Sequence, residues 1–274
     1  MNEPAGSEAR GYEDLYEEVE SPLMQQVRRE AYGEDIGQHS WVTAEELRED
    51  VSRLGLSPAS RLLDLGCGPA GPLTFVVGLA GCRGTGLDLS ASAIAAGRAR
   101  AASLRLDRLV SLRRADLNEP LPFAVGAFDA VMSLDVILHL RDPAAIIREV
   151  ARVLTGGGRF LLTDAGVITG PISDEEVRLR SIHGYTRFVP PGFNERALEV
   201  AGLRLIDGED RTASALKIAG GRLAARLAHR AQLEPLEGSA RFERQRQYLE
   251  TVIDLSRRGT LSRRMYLAEP YPPR

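Results

Sequence analysis

From residue 61 onward, short apolar runs alternate with longer segments whose apolar residues recur at helical spacing. Runs at 61–65, 83–88, 110–114, 128–134 and 158–164 have the length of strands. The segments between them, 72–79, 92–106 and 143–154, carry the helical period, and Gly156, Gly157 and Gly158 are expected to stop the last of these. A further helix over 192–201 leads into a strand over 203–210, and a last strand is expected over 262–268. Strands and helices in this order predict an α/β fold, a doubly wound, Rossmann-like sheet of seven strands.

Two segments stand outside that alternation. Residues 12–41 place acidic and aromatic residues on an expected helix broken by Gly33 and Gly37, which reads as an N-terminal helical cap. A second helix over 43–54 opens with Thr43 and Glu46 as a capping box. Between the sixth and seventh strands, 213–258 is mainly helical where a plain fold of this kind has a hairpin. Excursions of that length are usually functional, and this one is assigned to a lid or pocket wall. The expected organisation is a cap over 1–42, a core over 43–212, a helical insertion over 213–259, and the last strand and tail over 260–274. Residues 1–9 and 270–274 are expected to be disordered. On the insertion, Arg222, Arg226 and Arg230 recur at i, i+4 spacing and read as a solvated face, with contact to an acidic acceptor or a membrane surface as the sharper alternative.

Composition narrows the class. With 274 residues, 43% hydrophobic and 27% charged, the chain suits one α/β domain with additions and excludes a disordered protein. A net charge of -3 without a long basic run argues against nucleic acid as a partner. Residues 1–20 are rich in Glu and hold no apolar core, and no apolar stretch reaches membrane-spanning length. A cytoplasmic protein without membrane association is therefore expected. Cys67 and Cys82 lack metal-ligand spacing, and His39, His139, His183 and His229 are scattered, so no metal site is expected.

The chemistry concentrates behind the first strand. Asp64, Gly66, Gly68 and Gly71 form an Asp-x-Gly-x-Gly-x-x-Gly loop, and Asp88 ends the second strand. Such a loop permits a tight turn and close backbone approach, with the unpaired N–H groups of a helix N-terminus behind it. Dinucleotide sites use this geometry for a pyrophosphate. Here Asp64 precedes the first glycine, and no Lys or Arg occurs over 62–79. A phosphate at ~4 Å from that carboxylate would be repelled by roughly 4 kcal/mol at an effective dielectric of ~20. A phosphate-free cofactor with an ammonium group and a ribose fits instead. Asp88 suits the ribose hydroxyls, and S-adenosyl-L-methionine has all these features.

Five ordered segments then resemble the class I S-adenosylmethionine-dependent methyltransferases over about 61–210. Residues 62–68 resemble the first motif of that family and 86–90 its acidic second motif, with Leu89 beside Asp88. Arg114-Ala115-Asp116-Leu117 resembles the third, whose acid contacts the adenine amino group, Phe128-Asp129-Ala130-Val131 the fourth strand, and 154–160 the turn before the fifth. Within the family, Ser133-Leu134-Asp135-Val136-Ile137-Leu138-His139-Leu140 looks like the phosphoethanolamine, sarcosine and ubiquinone-biosynthesis methyltransferases. The resemblance implies that Asp135 and His139 line the active site and that a cap tyrosine joins them; Tyr12, Tyr16 and Tyr32 are the candidates. No basic residues for a phosphorylated acceptor stand out near this stretch, which argues against phosphoethanolamine itself.

The expected activity is methyl transfer to a small-molecule acceptor in specialised metabolism, at nitrogen or oxygen, with carbon open. His139 is the candidate general base, with an ordinary pKa near ~6.5 that small shifts carry through neutrality; packing over the cofactor is its other reading. Asp135 either meets the methionine ammonium or ends its strand, and Asp116 either contacts adenine or caps the turn before Asn118. His183 and Tyr185, after the fifth strand, are acceptor-pocket candidates with Tyr16 and Tyr32. Trp41 is either a core anchor or a residue crossing the cofactor. A nicotinamide-dependent oxidoreductase and a non-catalytic cofactor-binding protein are the competing classes. The cap is placed to close over its own site or that of a second copy, which would make a homo-oligomer.

Overall fold

The computed structural model describes Tyr16 and residues 20–182 and 184–272. The expectations for 1–9, for Tyr12 and for His183 lie outside the described residues.

α1 (Pro22–Tyr32) is capped by Ser21, whose hydroxyl accepts from the Met24 amide, and it ends at Gly33 with φ 80°. α2 (Ala44–Leu54) starts at the expected capping box. Thr43 Oγ1 accepts from the Glu46 amide at 3.1 Å, and Glu46 Oε2 accepts from the Thr43 amide at 3.3 Å. The doubly wound core follows as β1 (Arg61–Leu65), α3 (Gly71–Ala80), β2 (Arg83–Asp88), α4 (Ala91–Ser103), β3 (Val110–Arg114), β4 (Phe128–Leu134) and α5 (Pro143–Val153). β5 (Leu154–Ile168), α6 (Asp174–Arg180), α7 (Phe193–Val200) and β6 (Leu203–Asp210) come next. Three helices, α8 (Thr212–Ala228), α9 (Arg230–Glu237) and α10 (Ser239–Arg257), then precede β7 (Leu261–Pro270).

The seven strands form one sheet in the order β3-β2-β1-β4-β5-β7-β6, with β7 antiparallel to both neighbours. Alternation along the strands splits the core over the two faces. Leu62, Met132 and Leu161 pack with Leu73 and Val77 of α3 on one face. Leu63, Val131 and Phe160 pack with Ile147 and Val150 of α5 on the other. Side chains of neighbouring parity therefore face opposite layers, as the pleat requires.

Two expectations are corrected here. β5 starts at Leu154, directly after α5, not at 158; Gly156, Gly157 and Gly158 form an irregularity inside it, with Gly157 at φ 86° and the register against β4 shifting there. α6 was not expected at all, although Ser173 and Glu176 form a second capping box at its start. The last two strands are joined by the helical excursion read from the sequence. Its helices pack against the cap and each other: Trp41 with Ala215, Ile218 and Tyr248, and Val27 with Ala225 and Phe242.

Candidate active site

Strand order reverses between β1 and β4, and a cavity of about 220 Å³ opens at the carboxyl ends of these strands. Ligands of open α/β sheets bind at such switch points. The glycine loop forms one end of the cavity. The amides of Gly66 and Cys67 both donate to the Leu87 carbonyl, at 2.8 and 2.9 Å, folding the loop against β2. Gly66 has φ 70°, and a Cβ there would lie 2.5 Å from the Val136 methyls at the end of β4, so both conformation and contact demand glycine. Gly71 serves a different purpose. A Cβ on it would lie 2.3 Å from the Gly37 carbonyl oxygen, so the third glycine makes room for the cap loop at Ile36 and Gly37.

Asp88 fastens this loop. Its Oδ2 accepts from the Gly68 amide at 2.8 Å and its Oδ1 from the Ser90 amide at 2.9 Å. Asp64 is 3% exposed on the same cavity wall, and burial, with the nearby charge of Asp88, pushes its carboxyl well above the usual carboxylate range. A ligand ammonium would reverse that shift by favouring the charged form. Leu89 and Leu117 give this end its apolar sides, and Asp116, also on the wall, accepts from the amide and side-chain Nδ2 of Asn118 at 2.9 Å each. No Lys or Arg among the lining residues belongs to this end, so the charge and shape fit S-adenosylmethionine and disfavour a pyrophosphate.

The chain's own cap roofs the cavity, reaching over the glycine loop. Tyr16 is buried, stands edge-on to His39 with ring centroids 5.4 Å apart, and brings its hydroxyl to 3.4 Å from where a Cβ on Gly68 would sit. Tyr32 does not line the cavity, contrary to expectation. Its hydroxyl donates to the Ser40 carbonyl at 3.1 Å, and its side chain packs against the cluster that holds Trp41, Ile218 and Tyr248. Trp41 is both core anchor and cavity wall. Tyr185 lines the cavity, and its backbone carbonyl accepts from His139 Nδ1 at 3.0 Å.

That bond puts the proton of neutral His139 on Nδ1 and makes Nε2 the acceptor nitrogen. Burial is the main cause that lowers its pKa to about 4, and Arg180 adds to the effect. Burial thus moves the group down from the ordinary value near ~6.5, toward the neutral form that a general base requires. Asp135 also lines the cavity, at φ 60°, a left-handed conformation that Asp tolerates better than most residues. Its carboxylate is already engaged. Oδ2 accepts from the Trp41 amide at 2.9 Å, Oδ1 from Thr163 Oγ1 at 2.9 Å, and Arg263 Nε lies 3.1 Å from Oδ1. Arg263, 1% exposed, reaches Glu46 of α2 as well. Asp135 thus ties cap, β5 and β7 together, a part that its position in the sequence did not show.

The arginine stripe on α8 is also corrected. Arg226 is buried in an ion pair with Glu237 and stacks over Phe242, while Arg222 lies over the Trp41 ring at 5.0 Å and lines the cavity. Only Arg230, paired with Glu234, keeps an exposed position in the stripe. Helical spacing identified a shared face, but the cap and α10 cover it. Sequence reasoning missed Arg180 and Tyr248 on the cavity wall altogether; neither sits in a motif.

Comparisons with known proteins agree with this geometry. Residues 63–162 match the family model described as a methyltransferase domain. The sarcosine/dimethylglycine N-methyltransferase of Halorhodospira halochloris is 31% identical over 72% of this chain and 65% of its own length. The 27-O-demethylrifamycin SV methyltransferase of Amycolatopsis mediterranei is 31% identical over 57% of this chain and 58% of its own. The chain spans less than half the length of the first curated relatives it matches. Among solved structures, the cyclopropane synthase MmaA2 of Mycobacterium tuberculosis superposes with a TM-score of 0.81 at 17% identity, covering 97% of this chain and 98% of that one. Among the described residues no helix is long and apolar enough to cross a membrane.

Proposed function

We propose, from a chain whose core is a class I S-adenosylmethionine-dependent methyltransferase domain, that the whole protein transfers a methyl group to a small-molecule acceptor. The observation that carries this reading is the single cavity running from Asp64 and Asp88 to His139 and Tyr185. One end fits the cofactor's ammonium and ribose, and the other leaves a roofed space for a second molecule. Relatives named for nitrogen and oxygen acceptors support those two atoms first, with carbon open, and the rifamycin relative supports specialised metabolism.

The bound cofactor supplies an electrophilic methyl group on a sulfonium. The protein's part is placement, which accounts for about 7–11 kcal/mol in well-oriented reactions. The cap roof, with Tyr16 above the loop, excludes water and fixes the acceptor's approach. Neutral His139 accepts a hydrogen bond at Nε2 from the acceptor's O–H or N–H, orienting its lone pair. Cap and helical insertion act as the acceptor's walls, through Tyr16 and Trp41 on one side and Arg222 and Tyr248 on the other.

The test is incubation with methyl-labelled S-adenosylmethionine and a panel of nitrogen, oxygen and carbon acceptors. Label in an acceptor with matching release of S-adenosylhomocysteine is the expected result. Tight S-adenosylhomocysteine binding with no transfer across the panel would favour a cofactor-binding protein without this chemistry. Tighter binding of a nicotinamide dinucleotide would overturn the reading of the loop.

A further inference from the structure

Five arginines are buried among the described residues: Arg28, Arg180, Arg211, Arg226 and Arg263. Four of them face a carboxylate, namely Asp35, Asp50, Glu237 and Asp135 respectively. Arg180, 3% exposed at the end of α6, is the exception. Its Nη1 donates to the Tyr248 hydroxyl at 3.1 Å and its Nη2 to the Ala165 carbonyl at 3.3 Å, both neutral, and its Nε has no hydrogen-bond partner among the described residues. The oxygens of Asp164, an acid close enough to sense Arg180, are taken by Gly166 and Asn194.

A second cation without an ion pair to a described residue, Arg222, contacts the same aromatic ring. Arg180 lies 6.0 Å and Arg222 5.0 Å from the centroid of the same ring, Trp41, and both line the cavity. Ser40, next in the chain to Trp41 and also on the wall, has a buried hydroxyl with no hydrogen-bond partner among the described residues. Cation–π contacts do not offset the burial of an uncompensated guanidinium such as that of Arg180. An anion held by the two arginines offsets that cost.

We propose that this end of the cavity is an oxyanion subsite, and that the methyl acceptor carries a carboxylate or phosphate held by Arg180 and Arg222. The proposal rests on the reading of the protein as a methyltransferase and names the substrate class that reading leaves open. Planar guanidinium forks match both oxyanions, which is why one chemistry covers the two. The expectation drawn from the lack of basic residues near 133–140 is reversed, because the fold carries Arg180 and Arg222 to the cavity from distant segments.

Binding is measured by calorimetry on the full chain saturated with S-adenosylhomocysteine. The probes are benzoate and phenyl phosphate as the two oxyanions, with benzamide and benzyl alcohol as their neutral counterparts. At least one oxyanion should bind about tenfold or more tightly than its neutral counterpart, and the stronger of the two identifies the acceptor's group. Arg222→Gln, at a half-buried position that tolerates the change, and Arg180→Gln should each remove that preference while S-adenosylhomocysteine affinity stays within about twofold. Equal binding of acid and neutral probes, no binding of either oxyanion, or an unchanged preference in Arg222→Gln overturns the proposal. So does a parallel loss of S-adenosylhomocysteine affinity, which would give the arginines to the cofactor's own carboxylate. Methyl transfer to neutral acceptors undiminished in Arg222→Gln would retain the methyltransferase and reject the subsite. Oxyanion binding without transfer to any acidic acceptor would retain the anion site, reject the methyltransferase reading, and overturn the assignment of this site to an acceptor.

Discussion

At the β1–β2 end of the cavity the wall is backbone and carboxylate, drawn mostly from one stretch between Asp64 and Ser90 with Asp116 nearby. At the far end it is Trp41, Arg180, Arg222 and Tyr248, which come from the cap segment, α6, α8 and α10. The first end is acidic and its shape follows from local turns; the second is cationic and aromatic and exists only when four separate pieces of chain meet. Two ends of opposite charge, one suited to an ammonium and one to an oxyanion, orient a pair of ligands before any chemistry begins.

The comparison is broken most severely at the joint between the ends. Arg263→Met leaves the Asp135 carboxylate buried without its cation and removes the link to Glu46. Loss of one partner of such a pair costs about 3–5 kcal/mol, so urea unfolding should show a free energy of unfolding lowered by that much, with a lower midpoint at unchanged slope. A loss below about 1 kcal/mol would mean that the cap is held in register by its apolar contacts alone.

The same contrast explains what could be read in advance. The strands over 61–65, 83–88, 110–114, 128–134 and 203–210 were legible to the residue because alternation and length are local properties. The glycine loop and Asp88 were legible because a turn is made by neighbours in sequence. Arg180 and Tyr248 were not, since their contact spans 68 residues and nothing about either one marks it. Asp135 was found, but its engagement by Trp41 and Arg263 depends on tertiary pairing across 94 and 128 residues.

A sharper test of independence between the ends is Asp88→Ala. It removes the acceptor for the Gly68 and Ser90 amides and should weaken S-adenosylhomocysteine binding about tenfold or more by calorimetry. Oxyanion binding at the far end should stay within about twofold, and loss of both together would show that the ends are one cooperative unit.

Behind the far end, burial raises the pKa of Asp164 to about 6, with its oxygens held by the Asn194 side chain and the Gly166 amide. Raised above the ordinary value, this group contributes stability that is full at low pH and lost as pH rises through about 6. Moving from pH 8 to pH 5 should therefore gain about 1.4 kcal/mol that Asp164→Asn does not gain. The variant remains a fair comparison, because Asn194 can turn its amide and offer a carbonyl oxygen that now has no partner among the described residues. Parallel pH profiles for the two proteins would remove Asp164 from the account.

His139 works in the opposite direction on stability, and its effect on activity is the smallest expected. Its pKa is lowered to about 4, so its contribution to stability is present above ~6.5 and is lost as pH falls from there toward 4. For activity, a neutral imidazole that only accepts a hydrogen bond is worth about fivefold in turnover, well short of the ~10²–10⁴ expected of a general base. His139→Ala should lower turnover by that factor with S-adenosylhomocysteine affinity unchanged, and kcat/KM of the unaltered protein should show no acidic limb near ~6.5. An acidic limb at that pH which disappears in His139→Ala, with a loss of a hundredfold or so, would restore the general base and with it a proton-transfer role for the acceptor end.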